Sequence, residues 1–99
     1  PDRVVSNIAA MVDIAEANGI EPILATVPPA DVSTFRNKVR AYPWIDRVNA
    51  RIRSLAKDRG LALADYNAVL AGPDGRFAPG LAEDEAHANA AGYLRMSKV

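Results

Sequence analysis

The 99-residue sequence has no cysteine and only one histidine. The first absence excludes a disulfide framework and a thiolate metal site, and a lone imidazole is too little for a histidine-based zinc site. There is no net charge: twelve Lys/Arg stand against twelve Asp/Glu, so no general attraction to nucleic acid or to an acidic membrane surface is expected. No apolar run approaches the roughly 20 residues that a spanning helix requires, so no stable membrane insertion is expected. Nothing resembles a phosphate-cradling glycine loop. No metal and no cofactor is called for.

What is present points to a packed α/β globule. Apolar residues make up 49% of the chain, which argues against disorder. Nineteen of them are alanine, which bury little each, and the length allows one small domain over residues 1–99. Charge is unevenly placed: residues 36–59 carry eight Lys/Arg and only Asp46 and Asp58. A solvated helix face accounts for that segment; an anion-binding patch is the alternative.

"VVSNIAAMVDIAEANG" spaces Val5, Ile8, Val12 and Ala15 three and four apart, as an amphipathic helix requires. Gly19 after Asn18 is a left-handed stop. "EPILATVPP" reads as a short strand buried on both faces, ended by Pro28 and Pro29, which cannot donate ladder bonds. Residues 30–42 read as a loop with a helical turn near Phe35 and Val39. Pro43 opens a second helix, with Ile45, Val48, Ile52 and Leu55 on one face, Arg47, Arg51 and Arg59 off it, and Gly60 as its stop. "LALAD" is a second strand with Asp65 at its carboxyl end, "GPDG" a turn, and Asn89 the cap of a last helix.

A strand–helix–strand unit of this length implies a parallel pair with a right-handed crossover. Two strands of about five residues do not make an independent sheet, because three or more are needed, and their edges want neighbours. The chain begins at Pro1 without a leader and stops at Val99 inside a helical pattern, so it is expected to be part of something longer, and no compartment is assigned. The missing strands are expected from an amino-terminal half or from a second copy by self-association.

In open parallel sheets, sites form beyond the carboxyl ends of the strands. Residues 27–29, residues 65–67 and the loop carrying Asp84 and His87 converge there. A three-residue spacing lets the Asp84 carboxylate reach the near ring nitrogen of His87 and steady it as a proton acceptor; hydrogen bonding at a helix start is the plainer alternative.

"DGRFAPGLAEDEAHANAAGYLRM" resembles the final block of the SGNH hydrolase superfamily, also called GDSL-like lipases and acylhydrolases. There an Asp-x-x-His pair precedes a helix often reading Asn-x-x-Gly-Tyr, matched here by Asp84, His87, Asn89, Gly92 and Tyr93. The strand ending in "TVPP", the segment "NARIRSLAKDRGLALADYNAVL" and the Asp-Gly turn follow the family's order, so the resemblance covers nearly the whole chain. It implies a flavodoxin-like three-layer parallel sheet, of which this chain supplies roughly the carboxyl-terminal half. It also implies a serine ester hydrolase acting on an ester substrate, with His87 as general base and Asp84 as its orienting acid.

Departures from the family pattern are Ala88 where Pro is frequent, and Glu85-Ala86 between the pair, which adds a second carboxylate near His87. The Gly-Asp-Ser, oxyanion-hole Gly and Gly-x-Asn-Asp blocks are absent, so the chain alone is expected to be inactive. Ser33 is the one serine near the presumed edge, but it lacks a strained glycine turn to activate it; Ser6, Ser54 and Ser97 fall in helical patterns. Val27, Pro28, Phe77 and Ala88 are the expected substrate contacts. Asp65 reads as a cap, Asp74 as part of its turn, and Trp44 and Phe35 as packing residues. The alternative function is a non-enzymatic α/β module that associates with itself.

Overall fold

The computed structural model describes residues 2–30, 41–84 and 87–99. Helix α1 spans Asp2–Ala17, strand β1 Ile23–Ala25, helix α2 Ala41–Arg59, strand β2 Ala62–Ala64, and the short helices α3 and α4 Tyr66–Leu70 and Ala90–Met96. The expected order of helix, strand, helix, strand, helix therefore holds, with one five-residue helix added after β2. The strands run parallel with Ile23 opposite Ala62, Leu24 opposite Leu63 and Ala25 opposite Ala64. The segment expected near Phe35 and Val39, and Ser33 and Glu85, lie outside the described residues.

Both long helices end as glycine in the left-handed region dictates. Gly19 has φ 72° and Gly60 φ 65°, values an L side chain seldom adopts. In each case the next amide turns back to the helix, Ile20 to the Ala15 carbonyl at 2.9 Å and Leu61 to the Ala56 carbonyl at 2.8 Å. The chain is thereby redirected into a strand within three residues.

Among the described residues, one part of the core is a stripe-to-stripe contact, with Ile45, Leu70, Leu81 and Ala88 buried outside it. Val12 of α1, Leu24 of β1 and Val48, Ile52 and Ala56 of α2 are buried together, with Val4, Ile8, Val27, Trp44, Leu55, Leu61 and Leu63 packed around them. Each large aliphatic side chain there contributes about 1.5–3 kcal/mol on burial. The α1 stripe runs through Val4, Ile8 and Val12, four residues apart, with Val4 rather than the expected Val5 packed on the cluster.

One expectation is corrected. Strand β1 is buried on one face and not on both: Leu24 is buried, while Ile23 is 69% exposed and Ala25 is exposed too. The physical reason is that α1 and α2 both cover the face to which Leu24 points. Alternation along the strand sends Ile23 and Ala25 to the other face, which no described element covers.

The basic segment also resolves. Arg59 pairs with Asp13 at 2.7 Å and Glu16 at 2.6 Å, and Arg51 pairs with Asp2, so α2 lies its cations along the acids of α1. These exposed pairs are screened by solvent and add little to stability, but they engage arginines that an anion-binding patch would need. Arg36, Lys38 and Arg40 lie outside the described residues. Among the described residues, no helix is long and apolar enough to cross a membrane.

Candidate active site

Strand β1 meets its end in a set of polar groups. The Thr26 amide makes the last rung, to the Ala64 carbonyl at 3.1 Å, and the two prolines that follow Val27 have no N–H to offer. The Val27 backbone is satisfied by side chains instead. Its N–H donates to Asn49 Oδ1 at 2.7 Å, and its carbonyl accepts from Asn49 Nδ2 at 2.9 Å and from Asn67 Nδ2 at 3.0 Å. Asn49 is completely buried and Asn67 nearly so. The amide of Asn49 thus takes the place of a neighbouring strand residue, donor to acceptor and acceptor to donor.

Asp65 organises the end of β2. It caps α3 by accepting from the Ala68 N–H at 3.2 Å, as the sequence suggested. It also receives the Thr26 hydroxyl at 2.9 Å and the Arg53 guanidinium as a fork, Nε to Oδ2 at 2.8 Å and Nη2 to Oδ1 at 3.0 Å. The Thr26 hydroxyl oxygen in turn accepts the Asn67 N–H at 2.9 Å. Arg53 holds the Asp65 carboxyl below its ordinary value; partial burial opposes this, and the Thr26 and Ala68 hydrogen bonds assist it.

A carboxyl depressed in the folded state stabilises the fold above its unfolded pKa, near 3.9, and that contribution is lost as pH falls through the lower folded value. Asp65→Asn is therefore expected to cost about 1 kcal/mol at pH 7, discounted because the pair is part-exposed. The difference from the parent should shrink as pH falls below the unfolded carboxyl value, in urea titrations run across pH. A gap that persists unchanged in acid would remove the charge pair as its cause.

The chain then makes the expected turn, with the Gly75 N–H on the Gly72 carbonyl at 3.0 Å and the Arg76 N–H on Asp74 Oδ1 at 3.0 Å. It bridges Ala71 to Phe77 and later Ala82 to Ala88. The second bridge closes the loop that carries the acid and the base. The Glu83 N–H donates to the His87 carbonyl at 2.8 Å, and the Asn89 N–H to the Leu81 carbonyl at 2.9 Å.

Asn89 caps α4 through the Gly92 N–H at 2.9 Å and ties back to the Gly80 carbonyl at 2.8 Å. Gly92 has to be glycine for close approach: a Cβ there would stand 2.5 Å from the Leu81 carbonyl oxygen and 2.9 Å from the Ala88 Cβ.

Within that loop, His87 Nδ1 lies 2.9 Å from Asp84 Oδ1 and 3.0 Å from Oδ2, and the His87 main-chain N–H donates to Oδ1 at 2.8 Å. Backbone and ring are thus anchored on one carboxylate. With Nδ1–H directed at the carboxylate, Nε2 is the nitrogen left for proton transfer. The His87 side chain is 67% exposed and that of Asp84 47%, so the pair faces outward and is reachable by a reacting group.

Beside His87 opens a cleft of about 120 Å³ lined by Pro28, Leu70, Phe77, Ala88, Tyr93 and Met96. Three of the four expected substrate contacts, Pro28, Phe77 and Ala88, therefore share it with the histidine. Val27 does not line it; that residue packs on the core, and its backbone is held by the two asparagines. A larger open groove of about 330 Å³ lies at the amino ends of the strands beside Glu16, Glu21 and Arg59, away from the acid–base pair. Among the described residues no cluster of three or more His, Asp or Glu is arranged to hold a metal.

Sequence reasoning missed Asn49, Asn67 and Arg53. Asn49 left a signal: with Ile45, Val48 and Ile52 it occupies the apolar stripe of α2, where a polar residue needs a buried partner. Asn67 and Arg53 left none, because their partners are 40 and 12 residues away.

Comparison with known proteins bears on the family and the fold. The profile of the GDSL-like lipase/acylhydrolase family matches residues 1–95. The crystal structure of a GDSL-like lipase from Bacteroides thetaiotaomicron VPI-5482 is similar with a TM-score of 0.87 at 31% identity, over 98% of this chain and 48% of that one. A proposed acylhydrolase from Bacteroides fragilis NCTC 9343 gives 0.85 at 30% identity, over 98% and 48%. A proposed lipolytic protein of the G-D-S-L family from Desulfitobacterium hafniense DCB-2 gives 0.71 at 29% identity, over 94% and 49%. The chain spans about half the length of each structure it matches. No curated protein sequence matches it.

Proposed function

Because this chain belongs to the GDSL-like lipase/acylhydrolase family, we propose that it supplies the base and the orienting acid of a serine ester hydrolase. The observation that carries the reading is the two-point contact of the Asp84 carboxylate with His87 Nδ1, at 2.9 and 3.0 Å, on an exposed loop beside an apolar cleft. In this reading a serine hydroxyl attacks the ester carbonyl and His87 Nε2 takes its proton. Asp84 stabilises the imidazolium that forms. The tetrahedral intermediate then collapses, His87 returns the proton to the departing alcohol, and water repeats the sequence on the acyl-enzyme.

The nucleophile and the oxyanion donors come from the other half of such a domain. Ser6 and Ser54 are exposed on α1 and α2, and the Ser97 hydroxyl is engaged with the Leu94 carbonyl at 2.6 Å. The 99-residue chain is accordingly expected to hydrolyse 4-nitrophenyl butyrate no faster than buffer, since losing a triad serine costs on the order of 10⁴-fold or more. A polypeptide that unites these residues with a nucleophilic serine is expected to turn it over. Turnover by the short chain that His87→Ala abolishes would put the nucleophile within these residues.

A second reading, self-association, is favoured by the open sheet face. Ile23 is 69% exposed there, and β1 and β2 pair only with each other among the described residues. Light scattering across a concentration series is expected to show a dimer that dissociates on dilution. A monomer at every concentration would end this reading and leave the acid–base pair untouched.

A further inference from the structure

We propose that the cleft beside His87 selects a short, uncharged apolar segment of the ester, about three carbons long. This rests on the ester-hydrolase reading and narrows its substrate class. Size makes the first argument. An apolar cavity of about 150 Å³ holds a benzene ring, whereas this cleft offers about 120 Å³. That suits a propyl chain and falls well short of the several hundred Å³ that drug-sized ligands occupy.

Chemistry makes the second argument. Apart from His87 the lining carries no ionisable group other than the Tyr93 phenol: Pro28, Leu70, Phe77, Ala88 and Met96 are apolar. A charged or sugar-like segment would surrender its water there without partners, whereas each buried methylene gains about fourfold in affinity.

Rigidity makes the third, and it turns a volume into a length limit. Leu70 is fully buried and Ala88 nearly so, so the floor is packed from behind and does not recede. Pro28 follows Val27, whose N–H and carbonyl are both bound by Asn49, with Asn67 a second donor to the carbonyl. The Pro28 part of the wall is therefore fixed through the backbone. Phe77 and Met96 are the adjustable parts, both only partly buried.

The test is binding to the intact 99-residue chain by methyl acetate, methyl butyrate and methyl hexanoate, followed through the Ala88 and Met96 methyl and Phe77 ring NMR signals. Methyl butyrate is expected to bind about tenfold tighter than methyl acetate, near the full gain for two buried methylenes. Methyl hexanoate is expected within about twofold of methyl butyrate, since its extra carbons find no room.

Phe77→Ala should open the cleft, so that methyl hexanoate becomes at least fivefold the tighter ligand. Met96→Ala should do the same from α4, which keeps the test alive if one variant folds poorly. Propyl acetate carries its chain on the alcohol side of the ester. Contacts from its terminal methyl to Phe77, compared with those from methyl butyrate, show which side of the ester the cleft receives.

Full methylene-by-methylene gain up to hexanoate in the parent chain would overturn the proposal. So would an unchanged order in both variants, or signals moving elsewhere. His87→Ala is expected to keep the chain-length order. Failure of the order therefore counts against the cleft reading alone. Failure of the hydrolase reading appears as absent His87-dependent turnover in a polypeptide that unites these residues with a nucleophilic serine, with the order intact.

Discussion

Replacing His87 by alanine, in a polypeptide that unites these residues with a nucleophilic serine, is expected to lower ester hydrolysis by about 10⁴- to 10⁶-fold with little change in KM. The loss falls on kcat because the imidazole acts on protons in flight and not on the resting ester. Asp84→Asn is expected to cost roughly 10⁴-fold by a different route. Its remaining carbonyl oxygen still accepts the His87 main-chain N–H, now 2.8 Å from Oδ1. Its new NH₂ group, however, faces Nδ1, favours the tautomer protonated at Nε2, and so blocks the nitrogen that has to accept.

Neither change should alter the fold by more than about 0.5 kcal/mol, since His87 is largely exposed and Asp84→Asn keeps an oxygen for the His87 main-chain N–H. Single-turnover and steady-state rates on 4-nitrophenyl butyrate, with urea titrations as the control, check both claims. Residual activity within tenfold of the parent in His87→Ala would strip the histidine of its role.

The largest expected loss of stability comes from a residue that touches no substrate. Asn49→Ala is expected to destabilise the chain by about 3 kcal/mol, combining a buried N–H left without its acceptor with the space the amide vacated. For a domain of this size, whose total stability is about 5–15 kcal/mol, that lowers the melting temperature by roughly 12–24 °C. The Val27 carbonyl keeps Asn67 as a donor at 3.0 Å, so the damage concentrates on the Val27 N–H. Amide hydrogen exchange at Val27 should accelerate more than at Leu24, which lies within the ladder. A melting temperature within about 3 °C of the parent would show that the buried amide is dispensable.

These two residues mark how far the sequence could be read. His87 and Asp84 were legible because their partnership is local: three residues separate them, and the Asn89 and Gly92 signals that follow fix where the helix starts. Helices α1 and α2 were legible for the same reason, with apolar spacing and a terminating glycine for each. Asn49 was half-legible, a polar residue in an apolar register whose partner could not be named. The joining of Thr26, Arg53, Asp65 and Asn67 was not legible, because it depends on the parallel register of two strands almost forty residues apart. Burial of β1 on both faces was misread, since an apolar run reports what a strand prefers and not how many layers flank it.

The loop that bears the acid and the base is latched at its own base by the Ala82–Ala88 bridge and the Asn89 N–H on the Leu81 carbonyl. Asp84 and His87 are thus mounted on one buckle, and thermal motion of the scaffold carries them as a unit. Their mutual spacing is insulated from core substitutions, and what such substitutions alter is the aim of the whole buckle toward the reacting oxygen. Substitutions at Phe77, Met96 and the β1 exit can therefore reshape the cleft without changing the contact between Asp84 and His87.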